Sequence, residues 1–185
     1  DQKVREDFMS FWGIPLGFSD LMSVLSSEMK VDVISICSPT GCHEQDILDS
    51  LLLAPLLIFC EKPITLDFET STELVRLCDS KSVHLAVNYN RRWDPKILDF
   101  KSKIGEDFYG HLRSVVGIYN KGIFNNGSHM VDLIQYLLGG VDVISATAAV
   151  VDYFEEDPSV SAILKTENGI PVHLVTGNAK DFSIF

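Results

Sequence analysis

The stretch "LLIFCEKPITL", residues 56–66, decides how this chain is read. Leu56 to Cys60 are apolar without the alternation of a strand that faces water on one side, so they suit a strand buried on both faces of a parallel sheet. The run stops at Glu61, Lys62 and Pro63, which puts a charged pair at a strand terminus. Two further runs have the same character, "VDVISICSP" at 31–39 and "SVHLAVNYN" at 82–90. Between them, Asp46 to Leu53 and Phe68 to Ser80 read as helices, the second with Leu74, Val75 and Cys78 turned inward. Strands alternating with helices at this spacing predict βαβ units and a doubly wound parallel sheet of the α/β class. Ligands of such sheets sit at the carboxyl ends of the strands. Three strand ends therefore form one candidate group: Ser38-Pro39-Thr40 with His43, then Glu61-Lys62-Pro63, then Asn88 to Arg92.

The chain before this unit reads as a helix over 2–12, a short strand over 14–17 and a helix capped by Ser19-Asp20 that runs to about residue 28. After Trp93 the rhythm changes. Asp94-Pro95 starts a helix that Gly105 ends, with Asp as N-cap and Pro at the first helical position. The spacing then predicts a strand over 111–120, a helix over 127–140 closed by Gly139-Gly140, and one long strand over 141–154. A hairpin over 159–177 turns at Glu167-Asn168-Gly169. Residues 1–92 thus read as a doubly wound α/β domain, and residues 93–185 as an α+β domain with a mainly antiparallel sheet. Both ends read as cut: residue 1 stands at the mouth of a helix with no strand before it, and the chain stops in or just after a strand at "DFSIF".

Composition narrows the partners. The 185 residues carry 15 Lys+Arg against 26 Asp+Glu, a formal charge of −11 that repels phosphate backbones and anionic membranes, so no nucleic acid and no membrane are expected. The longest apolar stretch, around Leu51 to Cys60, falls well short of the roughly 20 residues that span a bilayer. No signal peptide opens the chain. Cys37, Cys42, Cys60 and Cys78 lie in or beside apolar runs without metal-type pairing, which suits reduced thiols in the cytoplasm and no metal. Asn126-Gly127-Ser128 matches a glycosylation sequon, a cheap match that nothing else supports.

Four motifs occur in order: "CSPTGCH", "EKP" after a buried strand, "NYNRRWDP", and "NNGSHMVDL" at a helix start. Together they resemble the glucose-fructose oxidoreductase / inositol dehydrogenase (Gfo/Idh/MocA) family over nearly the whole chain. The resemblance implies a Rossmann domain, incomplete at its N-terminus, followed by an α+β domain incomplete at its C-terminus. It implies NAD or NADP as cofactor and hydride transfer with a secondary alcohol of a sugar, sugar nucleotide or cyclitol. By the same likeness Ser38, Pro39, Thr40, His43, Glu61 and Lys62 line the cofactor side, and Lys62, Tyr89, Arg91, Asn125 and His129 meet the substrate. Lys62 and His129 are then the catalytic pair.

Elementary chemistry is compatible with those roles. An ammonium at a strand end orients a hydroxyl or carbonyl, though a solvated lysine paired with Glu61 is the plainer reading of Lys62. A neutral imidazole can take a hydroxyl proton as hydride leaves, though a helix-terminal histidine also serves structure alone. Arg91 suits a carboxylate or phosphate, or simply the surface.

Two departures stand against the family pattern. Asn125 occupies the position, four residues before His129, where the family usually has Asp, and a neutral amide neither relays a proton nor holds an imidazolium by charge. The GxGxxG turn that holds a pyrophosphate on a helix N-terminus is absent from the 185 residues. Asp1 reads as a helix cap or as the acid that binds the adenosine ribose. These departures motivate a second reading, a non-catalytic relative that binds a sugar or nucleotide as sensor or scaffold. The resemblance also implies a homo-oligomer paired through the second domain's sheet.

Overall fold

A computed structural model describes residues 1–180, and the strand expected in "DFSIF" lies outside them. The chain divides into two units, Asp1–Val87 and the remainder from Asn88.

The first unit begins with α1 (Gln2–Trp12), whose first turn Asp1 caps by accepting from the Lys3 and Val4 amides at 2.9 and 3.4 Å. The cap reading of Asp1 is the one its geometry matches. Ile14–Gly17 forms no strand, contrary to expectation. Pro15 removes a ladder donor there, and among the described residues no strand offers it a partner. Helix α2 (Leu21–Ser26) starts as the sequence predicts, with Asp20 accepting from the Ser23 amide at 2.7 Å. It ends at Ser26 because the Ser27 hydroxyl takes the Val24 carbonyl at 2.6 Å and Glu28 turns to φ +56°.

Three strands follow, β1 (Val33–Ile36), β2 (Leu57–Cys60) and β3 (His84–Val87), paired in parallel in the order β1-β2-β3. Helix α3 (His43–Ser50) joins the first two, and α4 (Phe68–Ser80), capped by Asp67, joins the second and third. The register aligns Ile36 with Cys60 and Cys60 with Val87, so the three carboxyl ends lie level. Ile36, Ile47, Leu51, Ile58, Cys60, Leu74, Cys78 and Val83 form the core. Two expectations fail. Only Ile36 of β1 is buried, since β1 has a single hydrogen-bonded neighbour among the described residues. Val75 of α4 faces outward, and Leu77 packs on the core in its place.

In the second unit Asp94 caps α5 (Pro95–Gly105) at the Lys96 amide, as predicted. Strand β4 (Val115–Tyr119) leads into a π-helical turn, Gly122–Gly127, and then α6 (Ser128–Leu138), which Gly139 closes at φ +88°. The expected long strand over 141–154 is two: β5 (Val141–Ala146) and β6 (Val150–Phe154) belong to different sheets. The chain leaves β5 at Thr147, and β6 pairs with β7 (Asp157–Ser159) in a small antiparallel sheet of its own. The predicted hairpin is β8 (Ala162–Thr166) and β9 (Pro171–Thr176), turning where Gly169 adopts φ +83° and its amide meets the Thr166 carbonyl at 2.8 Å.

The main sheet has the order β4-β9-β8-β5, antiparallel except for the parallel pair β4 and β9. Its inner face, with Tyr119, Leu164, Val172 and Leu174, packs on Ile134 of α6. Gly117 permits that contact, because a Cβ there would fall 2.8 Å from Met130. The outer face presents Val116, Ile118, Ile163 and Val175 to solvent.

Candidate active site

The strand ends of the first unit are tied by a histidine. After β1 the chain runs through Ser38-Pro39-Thr40, makes a short 3₁₀ turn and enters α3 at His43. His43 is 1% exposed, with Nδ1 2.8 Å from the Pro63 carbonyl and Nε2 2.8 Å from the Ser38 carbonyl. Carbonyls only accept, so a neutral ring donates one of these bonds and an imidazolium both. His43 is expected on the cofactor side of a ligand crevice; in this structure its ring is buried and both nitrogens face backbone carbonyls. It joins the segment after β1 to the segment after β2. The Ser38 hydroxyl donates to the Asp46 carboxylate, fixing the same segment to α3.

Beyond β2 the parallel ladder continues by one residue, with the Glu61 amide on the Ile36 carbonyl at 3.0 Å. Lys62 and Glu61 are half-buried, and the Lys62–Pro63 peptide is cis. Ser38 and Thr40 are half-buried and Pro39 is exposed. The Thr40 hydroxyl and the Lys62 ammonium are hydrogen-bond donors at the strand ends, where sheets of this kind hold ligands. The Cys60 thiol, one residue before Glu61, is pushed up to about 12 by burial, reinforced by the Glu61 charge, so it holds its proton and is no nucleophile.

The second unit assembles its own group around α6. Tyr89 stands edge-on to His129, with ring centroids 5.8 Å apart and planes at 90°. Burial raises the Tyr89 phenol above its ordinary range, an effect opposed by the Ser128 hydroxyl. The 3₁₀ turn Asn90–Trp93 then sends two arginines onto the π-helical turn and α6. Arg91 donates to the Asn126 side-chain oxygen at 2.7 Å, and burial lowers its guanidinium from the usual value. Arg92 holds buried Asp132 with bonds from Nε to both carboxylate oxygens at 2.9 and 2.7 Å and a further contact from Nη2. Those bonds raise Arg92 further above its ordinary range.

A cavity of about 240 Å³ opens beside Tyr89 and α6, lined by Tyr89, Phe124, Ser128, Asp132 and Gln135 among others. The π-helical turn carries Asn125, and His129 falls in the first turn of α6 as the sequence predicts. Of the substrate-side residues, Tyr89 meets His129, while Arg91 reaches Asn126, the neighbour of Asn125.

Two residues that these contacts make prominent, Asp132 and Asp157, were not singled out in the sequence; Arg92 stood there only as the end of a candidate strand terminus and Asn126 only as part of a sequon. Asp157 accepts from the amides of Phe124 and Asn125, 33 and 32 residues away. Such long-range partners leave no local spacing to read. Asp132 alone gives a local signal, since it follows His129 by three residues and so shares its helical face.

Comparison with known proteins agrees with both units. A family model described as "Oxidoreductase family, NAD-binding Rossmann fold" matches residues 1–89, and the GFO/IDH/MocA C-terminal domain model matches residues 111–182. Inositol 2-dehydrogenase of Rhizobium meliloti (strain 1021) is 31% identical over 169 residues, covering 80% of this chain and 51% of the relative. The NADP(+) scyllo-inositol 2-dehydrogenase of Bacillus subtilis (strain 168) is 25% identical, covering 70% of this chain and 43% of the relative. An NAD binding oxidoreductase from Klebsiella pneumoniae superposes with a TM-score of 0.86 at 19% identity, over 100% of this chain and 57% of that one, a likeness of fold. The chain spans about half the length of the curated relatives it matches.

Proposed function

The chain belongs to the GFO/IDH/MocA oxidoreductase family, and from that premise we propose that its protein moves a hydride between NAD or NADP and a secondary alcohol of a sugar, sugar nucleotide or cyclitol. The observation that carries this reading is Lys62, half-buried at the level carboxyl end of a central parallel strand in a Rossmann-type sheet. The inositol dehydrogenases among its relatives favour a polyhydroxylated ring as substrate.

The donor set suits part of the cofactor. The Thr40 hydroxyl and the Lys62 ammonium match the acceptors of a nicotinamide and its ribose, with Ser38, Pro39 and Glu61 shaping the same edge. When bound, the nicotinamide supplies an acceptor or source of hydride. Lys62 orients the reacting hydroxyl, and its charge offsets the negative charge that grows on the oxygen as the proton leaves. His129 takes that proton on a ring nitrogen in oxidation and returns it in reduction. Asn125, being neutral, offers no charge to the resulting imidazolium. Tyr89 holds the ring edge-on, and Arg91 contributes positive charge on the substrate side.

Further parts of the reading follow from family and composition. No helix among the described residues is long and apolar enough to cross a membrane, and the charge of −11 disfavours nucleic acid. A cytoplasmic enzyme that pairs through Val116, Ile118, Ile163 and Val175 on the outer sheet face is in keeping with both the exposure of those side chains and the family.

The test uses the full-length protein. Lys62→Ala should lower kcat for NAD(P)-dependent oxidation of myo-inositol or related polyols at least a hundredfold while NADH still binds by fluorescence. Near-normal turnover in that variant sinks the assignment. A wild-type protein that binds polyol but turns none over points to the sensor reading, which Asn125 motivates.

A further inference from the structure

The β6–β7 hairpin supplies acceptors to almost every amide at the start of the π-helical turn. The Lys121 amide donates to Asp152 at 2.7 Å, the Gly122 amide to Ser159 Oγ at 3.0 Å, and the Phe124 and Asn125 amides to the two oxygens of Asp157, both at 2.8 Å. Ser159 in turn donates to Asp152 at 2.8 Å, and Asp157 acts beside that pair, so the three side chains together form a network of acceptors for one turn. The first amides of any helical turn have no partner within it and are costly to bury bare, so this network decides whether the turn forms.

Asp157 is the centre of the arrangement. It is 9% exposed and takes two consecutive amides, one on each oxygen. Gly122 is shaped around it: at φ +88°, a Cβ there would fall 2.2 Å from the Asp157 carboxyl carbon. The hairpin itself is fixed, because the Tyr119 hydroxyl donates to the Val160 carbonyl at 2.7 Å and accepts from the Val160 amide at 2.8 Å. At its far end the turn passes directly into α6, where the Ser128 hydroxyl closes on the Phe124 carbonyl at 2.6 Å. His129 is the next residue.

We propose that Asp157 is a positioning residue, whose carboxylate sets the π-helical turn and thereby fixes where Asn125 and His129 are presented to substrate. The proposal rests on the reading that His129 handles the substrate proton. A neutral amide at 157 would accept only one of the two bonds, and a methyl group neither.

The experiment compares wild type, Asp157→Asn and Asp157→Ala in the full-length protein, with His129→Ala as reference. Hydrogen exchange at the Phe124 and Asn125 amides should quicken by about tenfold to a hundredfold in Asp157→Ala, the range for a lost bond to a charged acceptor. In Asp157→Asn one of the two should quicken, while amides 133–138 of α6 stay protected in both. With myo-inositol and NAD as probes, kcat per NADH-binding site should fall at least tenfold and KM for the cofactor stay within about twofold. A role in stability alone would lower the number of binding sites without lowering kcat per site. Unchanged exchange in both folded variants overturns the proposal. So does faster exchange with unchanged kcat where His129→Ala abolishes turnover. A harmless His129→Ala overturns the catalytic reading instead, and exchange alone then judges the role of Asp157.

Discussion

Arg92 grips Asp132 through both carboxylate oxygens, joining the 3₁₀ turn after β3 to the middle of α6. Asp132 is 6% exposed, whereas the Arg92 side chain is 37% exposed. The asymmetry predicts unequal mutants. Arg92→Ala strands a buried carboxylate and should destabilise the protein by about 2 kcal/mol or more, while Arg92→Lys keeps the charge but loses the planar fork and should fall between. Asp132→Asn removes the buried charge, leaves Arg92 reachable by water and should cost less than Arg92→Ala. Urea midpoints of the three variants check that order, and an Arg92→Ala as stable as wild type would contradict the pairing.

His43 offers a second test, in the other unit. Its ring spans two backbone carbonyls at 2.8 Å each and is fully enclosed. His43→Ala loses both bonds and leaves a cavity, so a loss of about 2–4 kcal/mol is expected. Pro63, one of the two acceptors, directly follows Lys62, so kcat should fall as well, with KM for the polyol little changed. Denaturant titration and steady-state kinetics on His43→Ala and His43→Gln measure both. Unchanged stability in His43→Ala would refute the tie between the strand ends.

The elements that could be read in advance are those whose signals are local. The apolar run Leu56–Cys60, the Asp94-Pro95 start of α5, the Gly139 stop of α6 and the Glu167–Gly169 turn each carry their cause within a few residues. The misreadings came where a distant partner decides. Residues 141–154 are uniformly β-prone, but β5 binds β8 whereas β6 binds β7, and that division is a fact of pairing. Val33 and Val75 look like core residues, yet their positions in the packing leave them exposed. At the site, the positions of Lys62 and His129 on their elements were legible, because strand ends and helix starts mark themselves. The inward turn of His43 and the network from Asp152 and Asp157 were not, because their partners are up to 33 residues away.

Cys60 predicts the response to alkali. Burial, with help from Glu61, pushes its thiol from 9.0 up to about 12 in the folded chain, while the unfolded chain keeps the lower value. Above pH 9 the unfolded state therefore binds fewer protons than the native state, so stability falls as pH rises from about 9 toward 12. The full contribution is present below 9. The slope for this one group approaches about 1.4 kcal/mol per pH unit within that window. Cys78 is raised for the same reason and should add to the fall. Urea midpoints at pH 8, 9, 10 and 11 in wild type and Cys60→Val separate the share of Cys60, since valine packs without titrating. A difference between the two proteins that does not change with pH would show that Cys60 ionises alike in both states. Cys37 and Cys42 are exposed, so Ellman's reagent should label them in the native chain and reach Cys60 and Cys78 only in denaturant. Prompt native labelling of Cys60 would place its thiol outside the core and remove the basis for the alkaline loss.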